Sequence, residues 1–424
     1  MIRPKDREIL RPLAQRCMEL AHEPVMAERK RLWKAVHDLR SERPVILVET
    51  CMMMDEYVPP AELRCEDPLL RNVERALLTT IRHAEEIGDD IVVEPYFRLA
   101  WETDISDYGI SWGEHHAVDG CGRSVAYSFD FPIATPGDFH KLRIRTKAVQ
   151  REKTARLKAV LDDVMGDILP VHVANADPFV FDSGNRPWTG ILFIGLTMDL
   201  FKLIGNNNLL YWVYDEPATI HKLMALLRDD RLEYFRWLEA EGLLEVNTDN
   251  QMAGPCSYGY VADLPEPGCG GPACLKDLWG WAESQETTMI SPAMFDEFFL
   301  PYIAEVASLF GLVYYGCCER VDDRFLQIKQ AIPNLRSVSV SGWNDFQKMG
   351  ELLGRDYVYS RKPTPAYISG ENPNWDLLEQ DMRKTKRAAA NCNLEILFRD
   401  IYTINFDRPR LRQWVEMAKG IFGI

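Results

Sequence analysis

Eight short runs rich in β-branched and aromatic residues recur along this chain, and they constrain its fold more than any other feature. They read "RPVILVET" (43–50), "DIVVEPY" (90–96), "LPVHVAN" (169–175), "LLEVNTD" (243–249), "GLVYYGC" (311–317), "LRSVSVS" (335–341), "DYVYSRK" (356–362) and "LEILFRD" (394–400). Each is mostly apolar, as parallel strands covered on both faces must be, and parallel neighbours need long crossovers such as 216–241 and 291–310. Eight such units predict an α/β chain closed into a (β/α)₈ TIM barrel in preference to an open doubly wound sheet. A length of 424 residues with 46% hydrophobic content is enough to fill it. Residues 5–40 read as two charged amphipathic helices interrupted near "AHEPV". The expected organisation is a helical extension over 1–40 and a barrel over 41–424. Three connections, 97–168, 176–242 and 250–310, are unusually long, and the first and third are expected as loops over a site because they begin with stretches rich in Gly, Pro and aromatics.

Charge narrows the function classes. A formal net charge of -15 repels phosphate backbones and anionic membranes, so no nucleic-acid or membrane partner is expected. The charged start "MIRPKDREILRPLAQRC" has no apolar signal core, and no uninterrupted apolar run is long enough to span a bilayer, which points to the cytoplasm. Ten cysteines scattered over this length form no compact disulfide framework and are expected as free, mostly buried thiols.

In a barrel of this kind the chemistry sits at the C-terminal strand ends. Those ends are polar here: Glu49 and Thr50, Glu94, Asn175 and Asp177, Asn247 with Asp249 and Asn250, Cys317 with Cys318 and Glu319, Ser339 and Ser341, Ser360 with Arg361 and Lys362, Arg399 and Asp400. Burying so many ionisable groups without a purpose would cost several kcal/mol each or force them neutral. Strand alternation places Val313, Tyr315, Cys317 and Glu319 on one face and Tyr314 and Cys318 on the other. A thiolate and a carboxylate on one face form a usable zinc pair, and a catalytic zinc takes a third protein ligand with one position open. Cys392 precedes the eighth run, about 20 Å below the upper rim, so Asp400 is the better third ligand. Cys318 substitutes if the strand is bulged. Around this centre Met53 and its Met neighbours, and Trp281 with Trp279 from a loop, suit the lining of an apolar pocket. The pair of imidazoles in "EHH" (114–116) lacks helical spacing and reads as surface loop.

Three stretches carry a resemblance to a known group: "RPVILVETCMMMDEYVPP", "ISPAMFDEFFLPYIAEVASLFG" and the Cys-bearing end of the 311–317 run. Together they resemble the uroporphyrinogen decarboxylase superfamily, which includes zinc methyltransferases of corrinoid systems and is similar to cobalamin-independent methionine synthase. The resemblance spans roughly residues 40–424 and implies a barrel, a dimer and a small-molecule substrate. It breaks in two places. The decarboxylases carry an arginine-bearing Arg-Gln-Ala-Gly-Arg-Tyr-Leu-Pro signature where this chain reads "MMMDEYVP", keeping Tyr57 and Pro59 but placing Met53 and Glu56 where cationic forks would grip a polycarboxylate. The methyltransferases carry His-x-Cys where this chain reads Tyr315-Gly316-Cys317.

The leading expectation from the resemblance is a corrinoid-dependent methyltransferase with zinc on Cys317, Glu319 and Asp400. Its donor is a methoxylated aromatic or a methylamine, and a cobalamin-carrying partner protein accepts the methyl group. Glu94, Asp249 and Arg361 are expected to position or protonate the substrate; Met53, Tyr57, Asn247, Trp281, Tyr315, Lys362 and Arg399 are expected to line its site. The alternatives are a metal-free decarboxylase gripping a carboxylate with Arg361, Lys362 and Arg399, and a non-catalytic corrinoid- or tetrapyrrole-binding module.

Overall fold

Six strands lie side by side and all parallel: β1 (Val45–Val48), β2 (Trp279–Ala282), β3 (Leu312–Tyr315), β4 (Leu335–Val340), β5 (Val358–Arg361) and β6 (Asn393–Phe398), in the order β1-β6-β5-β4-β3-β2. The computed structural model describes residues 3–118, 124–175, 192–265 and 271–424; Asp177 lies outside the described residues. Alternation along each strand sends Ile46, Val48, Val313, Tyr315, Val338, Val340, Ile396 and Phe398 into the largest core, shared with helices such as Phe346–Leu353, Trp375–Ala388 and Pro409–Phe422. The opposite, inner face carries Val45, Leu47, Val358 and Leu397, packed against Leu32, Trp33 and Val36 of helix Pro24–His37 and against Cys256 and Tyr258. A helix Pro4–Ala21 precedes that one, each opening on a proline at its first turn, where the missing N–H is no loss.

Five of the eight apolar runs are strands of this sheet, and the sixth strand is one that sequence reading assigned to a loop. "WGWA" (279–282) sits in a stretch dense in Gly, Pro and Trp, yet its backbone pairs with β3 and, through the bridge between Phe193 and Trp281, with residues 192–194. The 90–96 and 243–249 runs hold no assigned strand, and Val171–Ala174 pairs with Phe97–Ala100 in a separate two-stranded sheet. Among the described residues, then, backbone ladders do not close the sheet into an eight-stranded ring. The "EHH" stretch, read as a loop, forms one strand of an antiparallel two-stranded sheet, Glu114–Val118 with Ser124–Phe129, where His115 pairs with Asp130.

At the open margins, side chains take the place of the missing ladder. The β1 amides of Ile46 and Val48 donate to the carboxylates of Asp90 and Asp89, at 2.9 and 2.8 Å. Beyond β2, Asn247 acts as a stand-in peptide: its Oδ1 accepts from Trp279 N at 2.9 Å and its Nδ2 donates to Trp279 O at 3.2 Å. Asn175 does the same for the backbone of Glu245. Each surrogate satisfies buried peptide groups that would otherwise be orphaned. No helix among the described residues is long and apolar enough to cross a membrane.

Candidate active site

A column of polar side chains runs through the inner face of the sheet. Ser360 faces inward from β5, and Lys362 follows it at the strand's exit with Nζ 2.8 Å from Ser360 Oγ and 5.3 Å from the centre of the Tyr314 ring. Tyr314 donates its hydroxyl to the same Ser360 oxygen at 2.7 Å. Deeper in, Glu395 of β6 accepts from Ser257 Oγ at 3.0 Å and lies 3.2 Å from His37 Nε2, while His37 Nδ1 is 3.0 Å from the Tyr260 carbonyl. All of these side chains are buried. Burial, and then the positive charge of Arg399, push the Lys362 ammonium down to about 8, against the pull of Glu395. Glu395 is held below the ordinary carboxylate range, because against the cost of burial stand the hydrogen bond and charge of His37 and the charge of Lys362.

The thiols enter this column through a break in strand geometry. β3 ends at Tyr315, and Gly316 takes φ +98°, a left-handed conformation in which a Cβ would stand 3.0 Å from that of Ser339. Alternation therefore resets. Tyr315 stays with the outer core and shares a hydrogen bond with Ser284, while Cys317 turns inward to join Tyr314, Trp281, Met252 and Phe193. Its Sγ lies 3.4 Å from Arg399 Nη1 and 3.7 Å from Cys318 Sγ, and Cys318 in turn donates to Asp400 Oδ2 at 3.4 Å. Asp400 is also left-handed, at φ +58°, which folds its carboxylate back onto Arg399 Nη2 at 2.9 Å. Glu49 closes the cup: its Oε2 is 3.8 Å from Arg399 Nε and accepts from Asp400 N at 3.1 Å. The contact with Cys318 and then burial hold the Cys317 thiol well above its ordinary value, opposed by Arg399; burial likewise raises Glu49.

Glu319 does not meet the Cys317 thiol. Its two oxygens accept from the backbone N–H groups of Cys317, at 2.7 Å, and Ser284, at 3.0 Å, so it pins the turn after β3. Cys317 and Cys318 with Asp400 are brought into mutual reach, but Glu319 is not part of that group. Among the described residues no three His, Cys, Asp or Glu side chains converge as a metal-ligand set. The donors read from the sequence thus do not fit a zinc centre in this arrangement.

The remaining expected site residues divide between the cup and the scaffold. Lys362, Arg399 and Trp281 belong to the cup, Trp281 with its indole N–H on the Gly316 carbonyl at 3.0 Å. Arg361 points the other way: it lies over the Phe346 ring, bonds Thr385 Oγ1 at 3.0 Å and pairs with Asp381 of the covering helix. Met53 and Tyr57 pack in the outer core, and Asn247 holds the sheet margin. Glu94 and Asp249 stand to one side, Glu94 on Lys30 and Tyr260, each at 2.5 Å, and Asp249 on Arg98 and Tyr96. Sequence reasoning missed His37, Ser257 and Glu395, and it placed Ser360 among the polar strand ends without a role. Of these, Glu395 had a signal, a lone carboxylate inside the apolar run "LEILF". It also missed the buried Glu283 and the half-buried Glu286 beside Glu319, with Glu286 held by Thr197 at 2.7 Å; burial first, then Glu286 and Glu319, raise Glu283 far above the ordinary range.

No protein-family model matches this sequence, and no curated protein matches it either. Among solved structures the chain is similar to a methyltransferase from Methanosarcina mazei, over 93% of this chain and 99% of that one, with 11% identity and a TM-score of 0.49. A likeness of that degree leaves the chemistry to be read from the residues.

Proposed function

We propose that this protein is a methyl-transferring enzyme whose fold is a (β/α) barrel of the uroporphyrinogen decarboxylase kind, completed at one side by side-chain surrogates, and whose acceptor is a corrinoid on a partner protein. The observation that carries the reading is Lys362: a buried ammonium bonded to Ser360 and facing a cup walled by Cys317, Trp281 and Met252. Sulfur and indole give the cup the soft, weakly hydrated surface that suits a methyl group in transit. A docked corrinoid would supply the electron pair that accepts the methyl group. The C–O or C–N bond of the donor then breaks with its electrons on the heteroatom, and Lys362 gives that atom its proton. A general acid near neutral pH is well matched to this task, and the Ser360 contact and the Tyr314 ring hold the ammonium in place.

Incubation with reduced cobalamin and a panel of methoxybenzenes and methylamines, read by the spectral change of the corrinoid, tests the proposal. Turnover that Lys362→Met abolishes supports it; turnover unaffected by that change refutes the role of the residue, and none with any donor in a folded protein refutes the reaction. A second reading has its own support. Lys362 and Arg399 are buried cations that disfavour each other's charge, and a substrate carboxylate between them would relieve the repulsion, as a decarboxylase requires. Release of carbon dioxide without corrinoid identifies that case.

A further inference from the structure

Where the ladder stops at β1, a cavity of about 690 Å³ begins. One wall is helix Pro68–Arg82, whose cavity-facing stripe Asn72, Ala76 and Thr80 has the spacing of one helix face and carries only short side chains. Another wall is the strand Phe97–Ala100, and on this side of β1 the carboxylates of Asp90 and Asp89 take the amides of Ile46 and Val48, beside a single backbone bond from Asp90 N to Ile46 O at 2.8 Å. Its inner end is formed by Glu49, Thr50 and Cys256. Glu49 belongs to the thiol cup, and Cys256 lies close enough to Lys362 and Arg399 to feel both charges. The cavity is thus a side approach to the cup.

The charges around it are matched. Glu94 pairs with Lys30, Glu102 with Lys153 at 2.6 Å, and Asp249 with Arg98. A charged ligand entering here would lose its hydration and find its counter-charges already engaged, whereas the apolar lining by residues such as Leu77, Leu99 and Leu161 rewards an uncharged one. The volume is in the range of pockets that enclose drug-sized molecules, and a methylamine would leave nearly all of it empty.

We propose that this cavity binds the uncharged, apolar body of the substrate, so that the methyl donor is an aryl ether with its methoxy end at Glu49 and Thr50. This rests on the methyl-transfer reading for the word donor, but the binding is measurable without turnover. Full-length protein is titrated with the neutral fluorophore N-phenyl-1-naphthylamine, and competition is tested with 1,2-dimethoxybenzene and with tetramethylammonium. The expected result is one saturable site per chain, displaced by dimethoxybenzene alone, with affinity lowered at least tenfold by Ala76→Trp and by Thr80→Phe and unchanged by Leu326→Ala on the exposed surface. Melting curves confirm that each variant is folded, and the two fillings act at different points, so the loss of one variant leaves the other. No saturable binding, unchanged affinity in the folded filled variants, or displacement by tetramethylammonium overturns the proposal. Methyl transfer with a methylamine in the cobalamin assay, alongside absent probe binding, overturns the cavity assignment and leaves the reaction standing.

Discussion

Lys362→Met removes the buried ammonium while keeping the length and apolar stem of the side chain, and its effect on stability has a definite pH signature. The folded-state value of Lys362, about 8, lies below the 10.5 of a free lysine, so between those values the unfolded chain binds more protons than the folded one. Stability in that window therefore rises with pH: the contribution is complete above the unfolded value and is lost as pH falls through the folded one. The whole shift corresponds to about 3 kcal/mol, of which about 2 kcal/mol should appear between about pH 7 and about pH 9.5. Other groups act oppositely in the same range, since buried thiols such as Cys17 and Cys256 have raised values and favour unfolding as pH climbs past the ordinary thiol range. The useful quantity is accordingly the stability of the variant minus that of the wild type, from urea unfolding at a series of pH values. The variant should be the more stable at pH 7, with its advantage shrinking as pH rises. A difference that stays constant from pH 7 to pH 9.5 would show that Lys362 is not held down by burial, and the general-acid role would lose its basis.

Three further substitutions separate the cup from its scaffold. Glu395→Gln takes away the anion nearest Lys362, so the alkaline limb of the rate profile should move to lower pH by about one unit, read from initial rates across pH. Arg361→Met breaks a buried pair with Asp381 on the outer face and should cost about 3 kcal/mol in urea unfolding while leaving kcat of the folded protein within about twofold. Gly316→Ala forces a Cβ into a left-handed position 3.0 Å from Ser339 Cβ, and should cost about 1–3 kcal/mol in thermal unfolding and alter the rate at which Cys317 reacts with a thiol reagent.

Much of the sheet could be read from the sequence because burial on both faces leaves an unbroken apolar run, and five such runs are strands of the six-stranded sheet. The exits could not. Reading alternation past Tyr315 placed Cys317 with Glu319, and Arg361 was expected beside Lys362 although it faces the outer helices. Gly316 and Asp400 both take positive φ, and each reverses the direction its neighbour would have inherited. A glycine at a strand end is a visible warning; an aspartate there is not. "WGWA" was passed over because two large indoles flanking a glycine look like a loop cover, whereas Gly280 is small so that the Phe310 ring can lie against it, 2.4 Å from where a Cβ would be.

The margins of the sheet show why three of the apolar runs do not extend it and why that matters. A strand announces itself through several side chains at a fixed period, but a carboxamide or carboxylate that replaces a strand needs one residue at one place. Asn247, Asn175, Asp89 and Asp90 each do this with a single side chain, so the β-like runs 90–96 and 243–249 lie at the margins of the sheet without joining its ladder. Such a segment is also free to stand off. Backbone pairing fixes neighbouring strands about 4.8 Å apart, a spacing that admits no ligand, whereas the segment after Asp90 departs from β1 and leaves the cavity between them. Restoring the ladder would close the approach to the thiols; the aspartates satisfy the same amides and keep it open.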